Sequence, residues 1–281
     1  MRIDLHTHST ASDGTQSPAE VVSAAAEAGL DVVALTDHDT TAGWAQAEAA
    51  AEQQRTALVR GTEISCTDNG ISIHLLGYLH DPSEPGLLEE LEHSRESRAT
   101  RAQRIVERLS QDFPLDWDDV LAQIGPGATI GRPHIADAMA AKGIVHSRDE
   151  AFRDYLYAGS PYYATHYAVD AVQAVRLVVA AGGVAVMAHP LASKRGRVVD
   201  DSVIEAMAAA GMAGLEVHHR DHTPEQVRHG LDLAASLNLF VTGSSDYHGA
   251  GKVNLLGENT TDLLVLQQIE DLATGVEVLR S

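Results

Sequence analysis

Several residue types are scarce in this chain of 281 residues, and each scarcity excludes a class of protein. A single cysteine, Cys66, excludes an internal disulfide framework, and no basic segment followed by an apolar run is visible near the first residue. The longest apolar stretch, residues 177–188, is interrupted by two glycines and is too short to span a bilayer. These features favour a cytoplasmic protein.

Aromatic and basic residues are also scarce. Aromatics make up 4% of the chain, and 20 basic residues stand against 40 acidic ones, which gives a formal net charge of -20. A global negative field opposes binding to long nucleic acids or anionic membranes. We therefore expect neither long duplex nucleic acid nor a membrane as a partner, and the sequence indicates no obligate protein partner.

Histidine, by contrast, is abundant, with 15 residues. Residues 1–8 read as a short apolar strand that ends in His6 and His8, and side chains at i and i+2 of a strand share a face, so both imidazoles can converge on one ion. Further residues of metal-ligand type each close a plausible strand downstream: His38, Glu63, His74, His189, Asp246 and His248. Barrel enzymes keep their chemistry at such strand ends.

The apolar pattern predicts strands that alternate with helices at residues 1–80 and again from about residue 167 to the end, with about seven core strands. This alternation is typical of βαβ units and a parallel sheet. Residues 81–166 show helical spacing without a convincing strand. We therefore predict an α/β unit formed by residues 1–80 and 167–281, with a helical insertion at 81–166.

Together, the motifs resemble those of the PHP (polymerase and histidinol phosphatase) superfamily, whose fold is a distorted (β/α)7 barrel. They are His6-x-His8, Asp13, Thr36-Asp37-His38, Glu63, His74, His189-Pro190 and Asp246-x-His248. Residues 73–78, 131–136 and 221–225 further resemble a small stand-alone branch of that superfamily. This branch includes nucleoside 3',5'-bisphosphate phosphatases and 5'-to-3' exonucleases that act on short oligonucleotides. The resemblance implies that residues 1–80 and 167–281 form the catalytic barrel and that the helical insertion at 81–166 caps the active site.

The resemblance implies three adjacent divalent metal ions, with Glu63 bridging the first two. The implied ligands are His6, His8, Glu63 and Asp246 for the first ion, Glu63, His74 and His189 for the second, and Asp13, His38 and His248 for the third. Six imidazoles with three carboxylates favour Mn²⁺, Fe²⁺ or Zn²⁺ over Mg²⁺ or Ca²⁺. Taken singly, each residue is more often a core or solvated polar residue, and Asp13 sits in an ordinary Asp-Gly turn dipeptide.

The implied activity is hydrolysis of a nucleotide-sized phosphomonoester, foremost a nucleoside 3',5'-bisphosphate, by a metal-activated hydroxide, with Glu63, Asp246 and His38 as catalytic residues. Alternatives are a 5'-to-3' exonuclease on short RNA or DNA, a histidinol-phosphate-type phosphatase, and a non-catalytic PHP module. The low aromatic content weakens the exonuclease alternative, because single-strand binders usually stack bases on aromatic side chains. The full ligand set argues against a non-catalytic module.

The candidate substrate-binding residues are Arg132, His134, Lys194, Arg195 and His222. Arg132 could clamp one phosphate through two hydrogen bonds, and the basic loop at residues 194–197 could hold a second phosphate. Structural interpretations compete with both roles, since residues 131–134 are typical of a helix start and the basic loop of a solvated surface. A stripe of arginines, Arg95, Arg98, Arg101, Arg104 and Arg108, alternates with glutamates and predicts a solvated, salt-bridged helix face.

Overall fold

The computed structural model describes residues 1–125 and 127–280. Within these ranges the chain forms eight strands, ten α-helices and a short 3-10 helix at Ser193–Arg195. The strands are β1 (Ile3–Asp4), β2 (Val32–Leu35), β3 (Ala57–Asp68), β4 (Ile71–Tyr78), β5 (Val169–Asp170), β6 (Val184–Met187), β7 (Gly214–His218) and β8 (Phe240–Gly243). The helices are α1 (Pro18–Glu27), α2 (Trp44–Gln54), α3 (Pro85–Leu109), α4 (Trp117–Leu121), α5 (Arg132–Ala141), α6 (Arg148–Asp154), α7 (Ala171–Ala180), α8 (Asp201–Ala209), α9 (Pro224–Ser236) and α10 (Leu263–Leu272).

The strands form one sheet in the order β1-β2-β3-β4-β6-β7-β8, and β5 pairs with β3. Beyond the first and last strands, Thr7 bridges to Tyr247, and the amide of His8 donates to the Tyr247 carbonyl at 2.8 Å. The two edges of the sheet therefore approach each other, and the sheet forms a nearly closed barrel. The prediction of an α/β barrel with a helical insertion is confirmed.

The prediction of a parallel sheet was wrong at β4, which runs antiparallel to both β3 and β6. Asn69 and Gly70 join β3 to β4 with φ angles of 45° and 76°, which is the geometry of a two-residue hairpin turn. Asn-Gly between two apolar runs is a strong hairpin signal. This turn sets Ser65 opposite His74, so the antiparallel strand delivers its histidine to the same end of the barrel as the parallel strands.

Small side chains let the outer helices approach the sheet. Ala25 of α1 and Ala47 and Ala51 of α2 are buried in one cluster with Val33 and Leu58 of the neighbouring strands. The small alanine side chains thus allow these helices to pack closely on the sheet. Their burial costs no rotamer entropy, because an alanine side chain has no rotamers to lose. None of the described helices is both long and apolar enough to cross a membrane.

Helices α3 to α6 have a hydrophobic cluster of their own, in which Ile105, Leu109, Ile135 and Met139 are buried. A buried ion pair also joins this helical segment to the barrel. The predicted solvated face of α3 is wrong at two positions, because Arg98 is only 7% and Arg101 only 5% exposed.

The ion pair joins Arg98 of α3 to Asp39, which follows β2. Arg98 Nε donates to Asp39 Oδ2 at 2.7 Å, and Asp39 also accepts from the amide and the hydroxyl of Ser65, each at 2.7 Å. Removing either partner of such a buried pair leaves an uncompensated charge. The pair therefore fixes the position of α3 over the loop that carries His38.

Candidate metal centre

The residues proposed as ligands meet at one end of the barrel. His6, His38, His189 and Asp246 lie just beyond the carboxyl ends of β1, β2, β6 and β8. Because the carboxyl ends of parallel strands point to the same end of a barrel, these side chains share one site. The remaining positions are His8 and Asp13 in the loop after β1, Glu63 within β3, His74 within β4, and His248 after β8.

Glu63 lies at the centre of the cluster. Its Oε2 atom is 3.2 Å from His6 Nε2, 3.0 Å from His8 Nε2 and 3.2 Å from His38 Nδ1. Its Oε1 atom is 2.7 Å from His74 Nδ1 and 3.2 Å from His189 Nε2. One buried carboxylate thus faces five imidazoles.

Three groups of ligand atoms, each within a 4.8 Å span, can be drawn in this cluster. They are His6, His8, Glu63 and Asp246; His38, Glu63 and His74; and His8, Asp13, His38 and His248. The structure therefore brings all nine proposed ligands together. It differs in detail from the implied assignment, because His38 contributes to two groups and His8 also lies with Asp13 and His248.

Hydrogen-bonding patterns in the cluster fit cation binding. His6 Nε2 and His8 Nε2 face each other at 3.0 Å. His248 donates from Nδ1 to the Asp246 carbonyl, which leaves Nε2 unprotonated in the neutral ring, and this buried Nε2 has no hydrogen-bond partner among the described residues. Buried lone pairs that converge on one point fit borderline divalent cations such as Mn²⁺, Fe²⁺ and Zn²⁺.

The pKa values of several side chains in the cluster favour cation binding. Although burial raises the pKa of Glu63, the imidazoles of His74, His38 and His6 hold that pKa well below its usual value. Burial lowers the pKa of His189 to about 3, so its ring is neutral at pH 7. His6 and His8 are the exceptions, because neighbouring carboxylates outweigh burial. Glu216, Glu63 and Asp246 raise the pKa of His6 well above its usual value, and Asp246 and Glu63 raise that of His8 to about 9. An incoming cation therefore has to displace a proton from each of these two rings.

Backbone strain marks two of these positions. His189 and Asp246 have φ angles of 32° and 53°, in the left-handed region that residues other than glycine rarely adopt. Such conformations cost on the order of 1–3 kcal/mol each and persist where the surrounding structure enforces them. Here the strain aims both side chains into the cluster.

Glu216 on β7 was missed by the sequence analysis. It is fully buried, its Oε1 accepts from His6 Nδ1 at 2.9 Å, and its Oε2 accepts from the His189 amide at 2.9 Å. The first contact keeps a proton on His6 Nδ1, so Nε2 is the atom at which a cation would displace the second proton of the ring. A charged residue inside the apolar strand at residues 214–217 was the available signal.

Replacing Glu216 by glutamine will weaken metal binding about tenfold to a hundredfold, because the neutral amide no longer fixes the His6 tautomer or raises its basicity. Titration of the metal-free protein with Zn²⁺ or Mn²⁺ measures the effect. Glu205→Gln on the exposed face of α8 is the matched control for charge. Equal affinities in both variants would show that Glu216 does not support His6.

Asp246 is held from outside the cluster by two cations. Lys252 Nζ lies 2.9 Å from Asp246 Oδ2, and Arg195 Nη2 contacts the same oxygen. Arg195 also donates from Nε to Asp221 Oδ2 at 2.8 Å. Two carboxylates thus balance the Arg195 charge, and this geometry suits positioning of Asp246 better than capture of a phosphate. Lys194, on the adjacent 3-10 helix, is exposed.

Two other residues proposed to bind substrate use their rings to hold backbone. His222 donates from Nδ1 to the Val217 carbonyl at 2.8 Å and accepts from the Leu191 amide at 3.2 Å, so both ring nitrogens are engaged. His134 is buried and accepts from the Gly131 amide at the start of α5. The structure therefore places both residues in supporting roles at loops and helix ends.

Comparisons with known proteins agree with this geometry. The family pattern described as "PHP domain" matches residues 4–116. A 3',5'-nucleoside bisphosphate phosphatase of Chromobacterium violaceum is 34% identical over 93% of this chain and 92% of its own. A 5'-3' exoribonuclease of Haemophilus influenzae is 34% identical over 88% and 90%. A candidate metal-dependent phosphoesterase from Bifidobacterium adolescentis has a similar crystal structure, with a TM-score of 0.95 and 45% identity over 97% and 96% of the two chains.

Proposed function

Since the chain belongs to the PHP domain family and is a metal-dependent phosphoesterase, we propose that it hydrolyses a nucleoside 3',5'-bisphosphate. The observation that carries the chemical part of this proposal is the environment of Glu63, a buried carboxylate with five imidazoles within 3.2 Å. Such a cluster gathers cations at one point, and hydrolysis of a phosphate ester requires positive charge where the phosphate lies.

Divalent cations bound by the three donor groups would lower the pKa of water and neutralise charge on phosphate oxygens. Within this arrangement Glu63, Asp246 and His38 are the residues to which we assign the catalytic role, because each belongs to or joins the donor groups. Arg195 and Lys252 hold Asp246 as a carboxylate: burial raises its pKa, but these cations and His248 hold that pKa well below its usual value.

His219 supplies a hydrogen-bond donor beside the cluster. Its Nδ1 accepts from the Asp221 amide at 3.1 Å, which places the proton of the neutral ring on Nε2. That buried Nε2 lies 3.7 Å from Asp246 Oδ2 and has no hydrogen-bond partner among the described residues. In the proposed reaction it orients Asp246 or donates to a phosphate oxygen.

The substrate itself is supported by the relative from Chromobacterium violaceum, which acts on nucleoside bisphosphates and aligns over nearly the whole chain. A 5'-to-3' exonuclease on short RNA is the second candidate, because the exoribonuclease of Haemophilus influenzae is equally identical. The net charge of -20 and the 4% aromatic content disfavour it.

A substrate panel separates the two candidates. We expect the metal-loaded protein to hydrolyse nucleoside 3',5'-bisphosphates with a kcat/KM about tenfold or more above that for nucleoside 3'- or 5'-monophosphates, the effect of one additional charge-assisted contact. Phosphate release measures the first reaction, and chromatography of 5'-labelled oligoribonucleotides measures the second. A higher kcat/KM for oligoribonucleotides would replace the proposal with the exonuclease activity. The Glu63→Gln variant, purified in parallel, controls for contaminating phosphatases.

A further inference from the structure

A second polar cluster lies between α3, α5 and the segment that precedes β5. It contains Arg101, Arg132 and His166. Arg101 is only 5% exposed, and its buried Nε has no hydrogen-bond partner among the described residues. Within the same ranges no carboxylate lies within ion-pair distance of its guanidinium. A buried charge without a counter-ion is costly, so it indicates a missing anion.

Arg132 is also without a carboxylate partner in residues 1–125 and 127–280. Its Nη1 donates to the Leu156 carbonyl at 2.8 Å, and its guanidinium carbon lies 5.3 Å and 5.6 Å from the ring centroids of Phe152 and Tyr163. One donor and two aromatic faces orient the guanidinium without neutralising it. The remaining N–H groups of Arg132 can donate hydrogen bonds to an anion.

His166 is the third member of the cluster, and the groups of the cluster that remain without a partner are all hydrogen-bond donors. Arg101 Nη1 lies 3.3 Å from His166 Nδ1. A guanidinium has only donors, so His166 Nδ1 accepts and the ring proton is on Nε2. Burial, followed by Arg101, Arg98 and Arg132, lowers the pKa of His166 to about 2, so the ring is neutral. The cluster therefore offers two guanidiniums and one imidazole N–H.

Like charges repel each other in this cluster. Burial lowers the pKa of Arg101 to about 9, and Arg98 and Arg132 contribute in the same direction. Of these three arginines, Arg98 has the counter-ion Asp39. An anion with two negative charges would compensate the other two, and guanidiniums bind phosphate through paired hydrogen bonds.

The cluster adjoins the metal centre on the side of His74 and His38. Arg98, one turn before Arg101 on α3, donates to Asp39, the residue after His38. Arg98 also donates to the hydroxyl of Ser65, which lies opposite His74 in the pairing of β3 with β4. We propose that Arg101, Arg132 and His166 bind the second, non-reacting phosphate of the substrate while the first lies at the metal centre. This inference rests on the proposed bisphosphatase function and assigns the role to this cluster rather than to the loop at residues 194–197.

Kinetics of Arg101→Met in the metal-loaded enzyme test the proposal. We expect kcat/KM for a nucleoside 3',5'-bisphosphate to fall about tenfold or more, mainly through KM, while hydrolysis of phenyl phosphate changes less than about twofold. Arg132→Met should show the same dependence on substrate. Arg153→Met is the control, because its side chain is 69% exposed and pairs with Asp154. Equal losses on both substrates would overturn the proposal.

The melting temperature distinguishes anion binding from a structural role. Because Arg101→Met removes an uncompensated buried charge, the variant should melt at the same or a higher temperature than the wild type in buffer without multivalent anions. Sulfate should raise the Tm of the wild type more than that of the variant. A lower Tm together with unchanged substrate preference would show that Arg101 has a structural role and would reject the proposed binding of the second phosphate by this cluster. Wild-type enzyme that hydrolyses no bisphosphate, yet is active on other phosphate esters, would instead reject the proposed substrate.

Discussion

Replacing Glu63 by glutamine is expected to lower kcat on the order of a thousandfold, which corresponds to about 4 kcal/mol of activation free energy. Within residues 1–125 and 127–280, Glu63 is the one carboxylate that faces His6, His8, His38, His74 and His189 at once. Glutamine keeps the shape of the side chain but removes its negative charge. Cations held by the two donor groups that contain Glu63 would then lose the negative charge that these groups share.

The comparison that matters for this prediction is with His74→Gln, which removes one partly exposed imidazole from the edge of the cluster. We expect a smaller loss of kcat in that variant. The unfolding free energy of Glu63→Gln should change less than its activation free energy, because the substitution is isosteric. Steady-state kinetics, calorimetry and elemental analysis give the three quantities. Near-normal turnover in Glu63→Gln at full metal content would mean that Glu63 does not join two donor groups.

Removal of divalent cations by a chelator is expected to abolish phosphoesterase activity and to lower the Tm. The buried ligand atoms His6 Nε2 and His8 Nε2 lie 3.0 Å apart and belong to one donor group, so one cation can bind both. A ligand present at about a thousand times its dissociation constant stabilises the folded state by about 4 kcal/mol. Elemental analysis of the untreated protein should approach three ions per chain, and addition of Mn²⁺ should restore both activity and Tm.

The chelator treatment has a built-in control, because Glu63→Gln should respond less in Tm than the wild type does. Full activity in protein that elemental analysis finds free of metal would contradict a metal-dependent reaction. Recovery with Mg²⁺ alone, rather than with Mn²⁺, Fe²⁺ or Zn²⁺, would contradict the metal preference inferred from six imidazoles.

The alternation of strands and helices and the end of the sheet that holds the metal centre could be predicted from local patterns in the sequence, whereas the barrel and the grouping of the ligands were implied by the resemblance to the PHP superfamily. His6 and His8 share a face through the two-residue period of a strand, and the other proposed ligands follow apolar runs. Glu216 could not be identified in the same way. Its contact with His6 joins residues 210 positions apart, and no local pattern encodes that pairing.

Arg101 shows a second limit of prediction from the sequence. Arginines and glutamates at spacings of three and four are typical of a solvated helix face. Whether such a face meets water or another element depends on tertiary packing, and α3 packs this part of its surface against α5 and the segment before β5. The antiparallel direction of β4, in contrast, could have been predicted from sequence. Asn69-Gly70 is a hairpin signal, but the prediction followed the helix-strand alternation around it instead.

Proposed metal ligands from the two ends of the chain meet in one donor group, and this limits when metal can be bound during protein synthesis. His6 Nε2 lies 3.5 Å from Asp246 Oδ1, and the amide of Ser245 donates to Asp4 across 241 positions. At about 5–20 residues per second, the first histidines leave the ribosome on the order of ten seconds or more before Asp246 is made. A nascent chain therefore carries incomplete donor groups for most of its translation. Tight retention of a metal ion then marks a chain that has been synthesised through His248 and has closed its barrel.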